Sequence, residues 1–84
     1  MSPPSASNPR LRRFWFSVPH ALGIGVTAYS LSEARQLAEE VAKEMGWAEP
    51  GSVLEDVDVR DLDQGHVIPN MGPPNLRGVW FPWR

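Results

Sequence analysis

Cysteine is absent from this 84-residue chain, which excludes disulfide bridges, thiolate nucleophiles and cysteine-ligated metals. An excess of positive charge is also lacking. Eight Lys and Arg stand against ten Asp and Glu, a formal net charge of −2, so bulk attraction to a phosphate backbone is not expected. No run approaches the roughly 20 apolar residues of a membrane span. The first nine residues contain no apolar segment of the signal-peptide kind. Cytoplasmic residence, with no membrane partner, is the expectation. Histidine is scarce, and His20 and His66 lie too far apart in sequence for a ligand pair. No cofactor and no metal are expected.

What is present suffices for one small core. Hydrophobic residues make up 42% of the chain and charged residues 21%, a balance that folds. At this length a second independent core is not available. Four Trp, three Phe and one Tyr supply much of the apolar area. Residues 1–9, with three Pro and three Ser, read as a flexible leader, and residues 10–84 as a single α+β domain.

The pattern along that domain sets the order of elements. Arg12, Phe14, Phe16 and Val18 alternate with Leu11, Arg13, Trp15 and Ser17, which predicts a strand with aromatics on both faces. After a turn over 19–23, a second strand is predicted from Ile24 to Tyr29, completing a hairpin. Ser30-Leu-Ser-Glu33 is a capping box that opens a helix. Leu31, Ala34, Leu37, Ala38, Val41, Ala42 and Met45 form its apolar stripe. Gly46 supplies a left-handed ending, with Trp47 folding back onto Val41 or Ala42. The segment 52–62 predicts a half-exposed strand with Val53, Val57 and Val59 on one face and Asp56, Asp58 and Arg60 on the other. Three Gly and three Pro in 63–78 make a long loop. Val79, Phe81 and Trp83 alternate with Trp80 and Pro82 in a final strand.

This β-β-α-β-loop-β order predicts one mixed sheet with one helix packed across it. It resembles the β-grasp, or ubiquitin-like, arrangement. That resemblance implies a last strand beside the first, so that Phe14, Phe16, Val79 and Phe81 meet beneath Leu37 and Val41. A plain antiparallel meander under the helix is the alternative.

Four surfaces are candidates for function. Asp61, Asp63, His66 and Asn70 fall within ten positions of a long loop, where His66 oriented by Asp63 is a possible general base or metal ligand. Against this, the loop has no Ser or Thr nucleophile, and His66 and Asn70 equally serve to hydrogen-bond loop backbone, while Val67, Ile68, Met71 and Leu76 pin it to the core. The acidic run Glu55, Asp56, Asp58, Asp61 and Asp63 is either a patch for a basic partner or a guard against edge pairing. Arg10, Arg12 and Arg13 beside Phe14, Trp15 and Phe16 have the composition of a single-strand groove, although three arginines are few and Arg13 stacked on Trp15 is the plainer reading. Trp15, Tyr29 and Trp80 are candidates for outward aromatics, forming either an open protein-binding patch or a face covered by the long loop.

The stretches Arg13-Phe-Trp-Phe16, Gly25-Val-Thr-Ala-Tyr29, Glu55-Asp-Val-Asp-Val59, Gly65-His-Val-Ile-Pro-Asn-Met-Gly72 and Arg77-Gly-Val-Trp-Phe-Pro82 together resemble a family of short uncharacterised bacterial proteins. The resemblance implies a stand-alone module and brings no catalytic residues. Leu76-Arg77-Gly78 is similar to the end of a ubiquitin-like modifier, but conjugation would require removal of Val79 to Arg84. The leading expectation is therefore a small protein-binding module using the acidic strand or the aromatic-rich surface, with a protein partner expected and nucleic acid not.

Overall fold

The computed structural model describes residues 10–82, so the leader and Trp83 lie outside the described residues. Strands β1 (Arg12–Phe16), β2 (Ile24–Ala28), β3 (Val53–Glu55) and β4 (Gly78–Phe81) and the helix α1 (Leu31–Met45) form a small α+β fold. The sheet has the order β3-β1-β2-β4, and every pairing in it is antiparallel. Two expectations are thereby corrected. The sheet is not mixed, and the last strand lies beside β2, at the edge, instead of beside β1. The order is not that of a plain meander either, since β3 crosses back to the far side of β1.

The local signals for the helix act as the sequence implies. Ser30 Oγ accepts the Glu33 amide, and the Glu33 carboxylate reaches back to the Tyr29 amide at 2.9 Å, one residue earlier than a standard box. At the other end Gly46 has φ 73°, and Trp47 N–H donates to Ala42 O at 2.8 Å, the six-to-one bond of a Schellman ending. Ala34, Ala38, Val41 and Ala42 are buried against Phe14, Phe16, Ile24 and Val26, with Leu37 and Trp47 packed alongside. Met45, expected in the buried stripe, is exposed. It sits in the last helical turn.

The opposite face of the sheet has a different cover. Residues 56–77 cross it as an irregular strap and bury Val57 and Val67 against Trp80 and Phe81, with Trp15, Leu62 and Met71 around them. Backbone bonds from Val57 N–H to Arg13 O and from Gly72 N–H to Trp80 O pin its two ends, and Thr27 Oγ1 donates to Pro74 O. The long loop thus closes over the second aromatic face, one of the two readings of the surplus aromatics. Leu76, expected to pin the strap, is instead 59% exposed.

Two local irregularities explain why alternation misplaced residues. Asp56 adopts φ 57°, a left-handed conformation that Asp tolerates better than most side chains. It ends β3 at Glu55 and reverses the alternation. Val53 packs on the helix side while Val57 and Val59 join the strap side, so the predicted strand over 52–62 stops after three residues and gives way to a 3₁₀ turn over Val59–Asp61. In β4, Val79 opposes Val26 and Phe81 opposes Gly25, leaving Trp80 as the extra residue of a bulge. Val79 therefore faces the helix, whereas Trp80 and Phe81 both join the strap side.

Candidate functional site

The loop candidates form a structural knot on the surface. Asp63 Oδ1 accepts the amides of Gly65 and His66, each at 2.8 Å, and lies 3.2 Å from His66 Nδ1. Those backbone bonds first, and the imidazole second, hold the Asp63 carboxyl below its usual range. Asn70 Nδ2 donates to His66 O, and the His66 side chain is largely exposed. Asp61 donates its amide to Asp58 O within the 3₁₀ turn. These residues shape the strap. None of them lines either of the two concavities described below, and among the described residues no group of three or more His, Asp or Glu is placed to hold a metal ion.

The acidic run does not assemble into one patch. Arg12 spans Glu55 and Asp56, with Nη2 at 2.8 Å from Glu55 Oε1 and Nε at 2.9 Å from Asp56 Oδ1. This fork depresses the Asp56 carboxyl and raises the Arg12 guanidinium further. Arg60 clamps Asp58, and its side-chain and backbone donors hold that carboxyl at about 2. Glu55, Asp56 and Asp58 are thus engaged in short-range ion pairs.

The basic run makes contacts on both faces of the sheet, although its three arginines line one concavity. Arg12 lies over the Phe14 ring at 5.1 Å on the helix side, while Arg13 donates to Val57 O on the strap side. A concavity of about 270 Å³ is lined by Arg10, Leu11, Arg12, Arg13 and Asp56, so a carboxylate shares it with the guanidinium groups. The expected stacking of Arg13 on Trp15 gives way to the bond with Val57.

Among the aromatic candidates, Trp80 is corrected outright: it is 1% exposed and lies in the second core. Trp15 is half-buried, packed at 5.9 Å from the Trp80 ring and 5.6 Å from Phe81. Tyr29 is exposed, with Arg77 over its ring at 5.3 Å and Arg77 paired to Glu33. Release of a terminus at Gly78 would remove Trp80 and Phe81 from this core.

A larger groove, of about 430 Å³, lies elsewhere, between the outer side of α1 and the segment that follows it. Gln36, Glu39, Glu40 and Lys43 line one wall at helical spacing. Trp47, turned back by Gly46, together with Glu49 and Pro50 makes the other. The second wall is tied to the sheet, because Gly51 N–H donates to Ser17 O at 2.8 Å and Ser17 N–H to Ser52 O at 2.9 Å. Arg35 adds a bond to Gly51 O from the helix. The groove joins an indole and a proline to three carboxylates and one ammonium, and its lining includes no hydroxyl, thiol or imidazole. Glu39 and Glu40 fall outside the apolar stripe of the helix. The signal for more was Gly46-Trp47, which returns an aromatic ring to the border between the core and these residues, followed by Glu49-Pro50.

The chain matches no protein-family model, no curated protein and no solved structure. Its own geometry is what speaks for the site.

Proposed function

We propose that this chain is a small protein-binding module whose recognition surface is the groove between α1 and residues 47–50. The observation that carries the reading is the composition of that groove, an indole and a proline edged by carboxylates on two fixed walls. Aromatic anchors rimmed by polar groups are how proteins recognise one another. Two further observations support binding over catalysis. The Asp63, His66 and Asn70 set spends its hydrogen bonds on the strap backbone. Glu55 and Asp56 pair with Arg12, and Asp58 pairs with Arg60, within the chain.

Affinity capture from the native host, using the full chain and single substitutions, tests the reading. A specific partner retained by the wild type is expected to be lost with Glu40→Lys and kept with Asp58→Lys. Loss with Asp58→Lys and retention with Glu40→Lys would move the interface to the strap side and defeat the assignment.

A further inference from the structure

We infer that the groove takes a cationic protein segment, with an arginine guanidinium laid over the Trp47 ring and held by Glu39, Glu40 and Glu49. The inference rests on the protein-binding reading above and names the chemistry of the partner. Its first support is charge. Three carboxylates and the single ammonium of Lys43 leave the groove with a formal charge of −2. That potential favours a cationic ligand and disfavours an acidic one.

The second support is a pattern that the molecule uses twice within itself. Arg12 sits 5.1 Å above the Phe14 ring and pairs with Glu55 and Asp56. Arg77 sits 5.3 Å above the Tyr29 ring and pairs with Glu33. In each case a planar guanidinium satisfies a carboxylate at its edge and a ring at its face, a combination that suits Arg better than Lys. The groove brings the same two receptors together, carboxylates and an aromatic face, and among the described residues no guanidinium is placed over Trp47. An arginine from a partner completes the arrangement. The groove is also bounded by a helix wall and a tethered loop, so the backbone that carries the ring and the carboxylates is in place before the ligand arrives.

The test uses the full chain and a capped peptide of alternating arginine and glycine, with the same peptide made with citrulline as a neutral isostere. Nuclear magnetic resonance titration is expected to shift the Trp47 indole signal and the amides of residues 36–50 with the arginine peptide, and to leave them still with citrulline. The double substitution Glu40→Gln with Glu49→Gln is expected to weaken binding on the order of tenfold, the size expected for loss of two ion pairs around a stacked cation. Asp61→Asn is expected to leave binding unchanged. Trp47→Leu is expected to weaken binding as well, and the exposed Glu pair carries the test if that variant melts early. Binding of the citrulline peptide, an equal loss with Asp61→Asn, or shifts centred on Arg12 and Asp56 would each overturn the inference. If captured partners depend on Glu40 while the arginine peptide fails to bind, the partner chemistry is wrong and the protein-binding reading stands. If neither depends on Glu40, both fall.

Discussion

The two faces of the sheet are covered in opposite ways. On one, a 15-residue helix with capped ends lays alanines and a valine over Phe14, Phe16, Ile24 and Val26. On the other, an irregular strap with two 3₁₀ turns lays Val57 and Val67 over Trp80 and Phe81. The helix satisfies its own backbone and needs only apolar contact from the sheet. The strap draws its support from local side-chain bonds such as Asp58 to Arg60 and Asp63 to the Gly65 and His66 amides. It also leaves the Trp80 indole N–H buried with no acceptor among the described residues, a defect that costs about 1–3 kcal/mol. The first face is stabilised by repetition, the second by fit.

That fit depends on missing side chains. Gly23 and Gly25 sit two residues apart at and beside the start of β2, and a Cβ added at either would come within 2.5 Å of an indole carbon, of Trp15 at Gly23 and of Trp80 at Gly25. The indoles occupy the space that two side chains would need. Gly25→Ala therefore separates the faces most sharply. Trp80 is enclosed and cannot swing away, so the variant is expected to lose about 1–3 kcal/mol or more in chemical denaturation. Trp80→Leu should recover part of that loss in the double variant, with a coupling of about 0.5–3 kcal/mol. Strictly additive losses would mean that Gly25 matters for its backbone and not for the indole.

The capping of α1 offers the converse perturbation, on the helix face. Ser30→Ala removes the acceptor of the Glu33 amide and is expected to cost about 1 kcal/mol. The effect should appear as faster amide exchange in the first turn of α1, with the Trp80 indole signal unmoved. A shift of that signal as large as the one in Gly25→Ala would show that the two covers act as one unit.

The same contrast explains what was legible in the sequence. The helix was readable to its ends because its signals lie within four residues of the groups they act on: Ser30 to Glu33, Gly46 to Ala42, and a stripe of period 3.6. The hairpin was equally local, and its register pairs Phe14 with Val26 and Phe16 with Ile24. The position of β4 was not readable, because the side of the sheet on which a 22-residue strap returns depends on what it covers. One residue in a left-handed conformation at Asp56 and one extra residue at Trp80 then reversed the alternation in two places. Parity arguments fail once a single residue is inserted, since the side-chain period of a strand is two. The groove is not legible in the sequence for a related reason. Glu39, Glu40 and Trp47 look unremarkable one at a time, and only the turn at Gly46 brings them together.

Acidification gives the smallest expected effect and bears most directly on how the strap is held. Asp56, Asp58 and Asp63 all have carboxyl pKa values below the ordinary range, Asp58 through Arg60, Asp56 through Arg12, and Asp63 chiefly through the His66 and Gly65 amides. A carboxyl depressed in the folded state contributes stability that is fully present above the unfolded value, near 4, and is lost as pH falls through the folded value. For Asp58 that window runs from about 4 down to about 2. The groups lie on the surface, so water and salt screen the effect and it stays modest. Its location is what matters. All three belong to the junction of β3 with the strap or to the strap itself, so amides of residues 57–72 should exchange faster as pH falls below about 4 while those of α1 keep their protection. Asp58→Asn should flatten the response around Arg60, and raised salt should reduce it. If α1 and the strap instead loosen together at one pH, with Asp58→Asn indifferent, then the carboxylate bonds are not what fastens the second cover. Packing of Val57 and Val67 on the indoles would then have to hold the strap unaided.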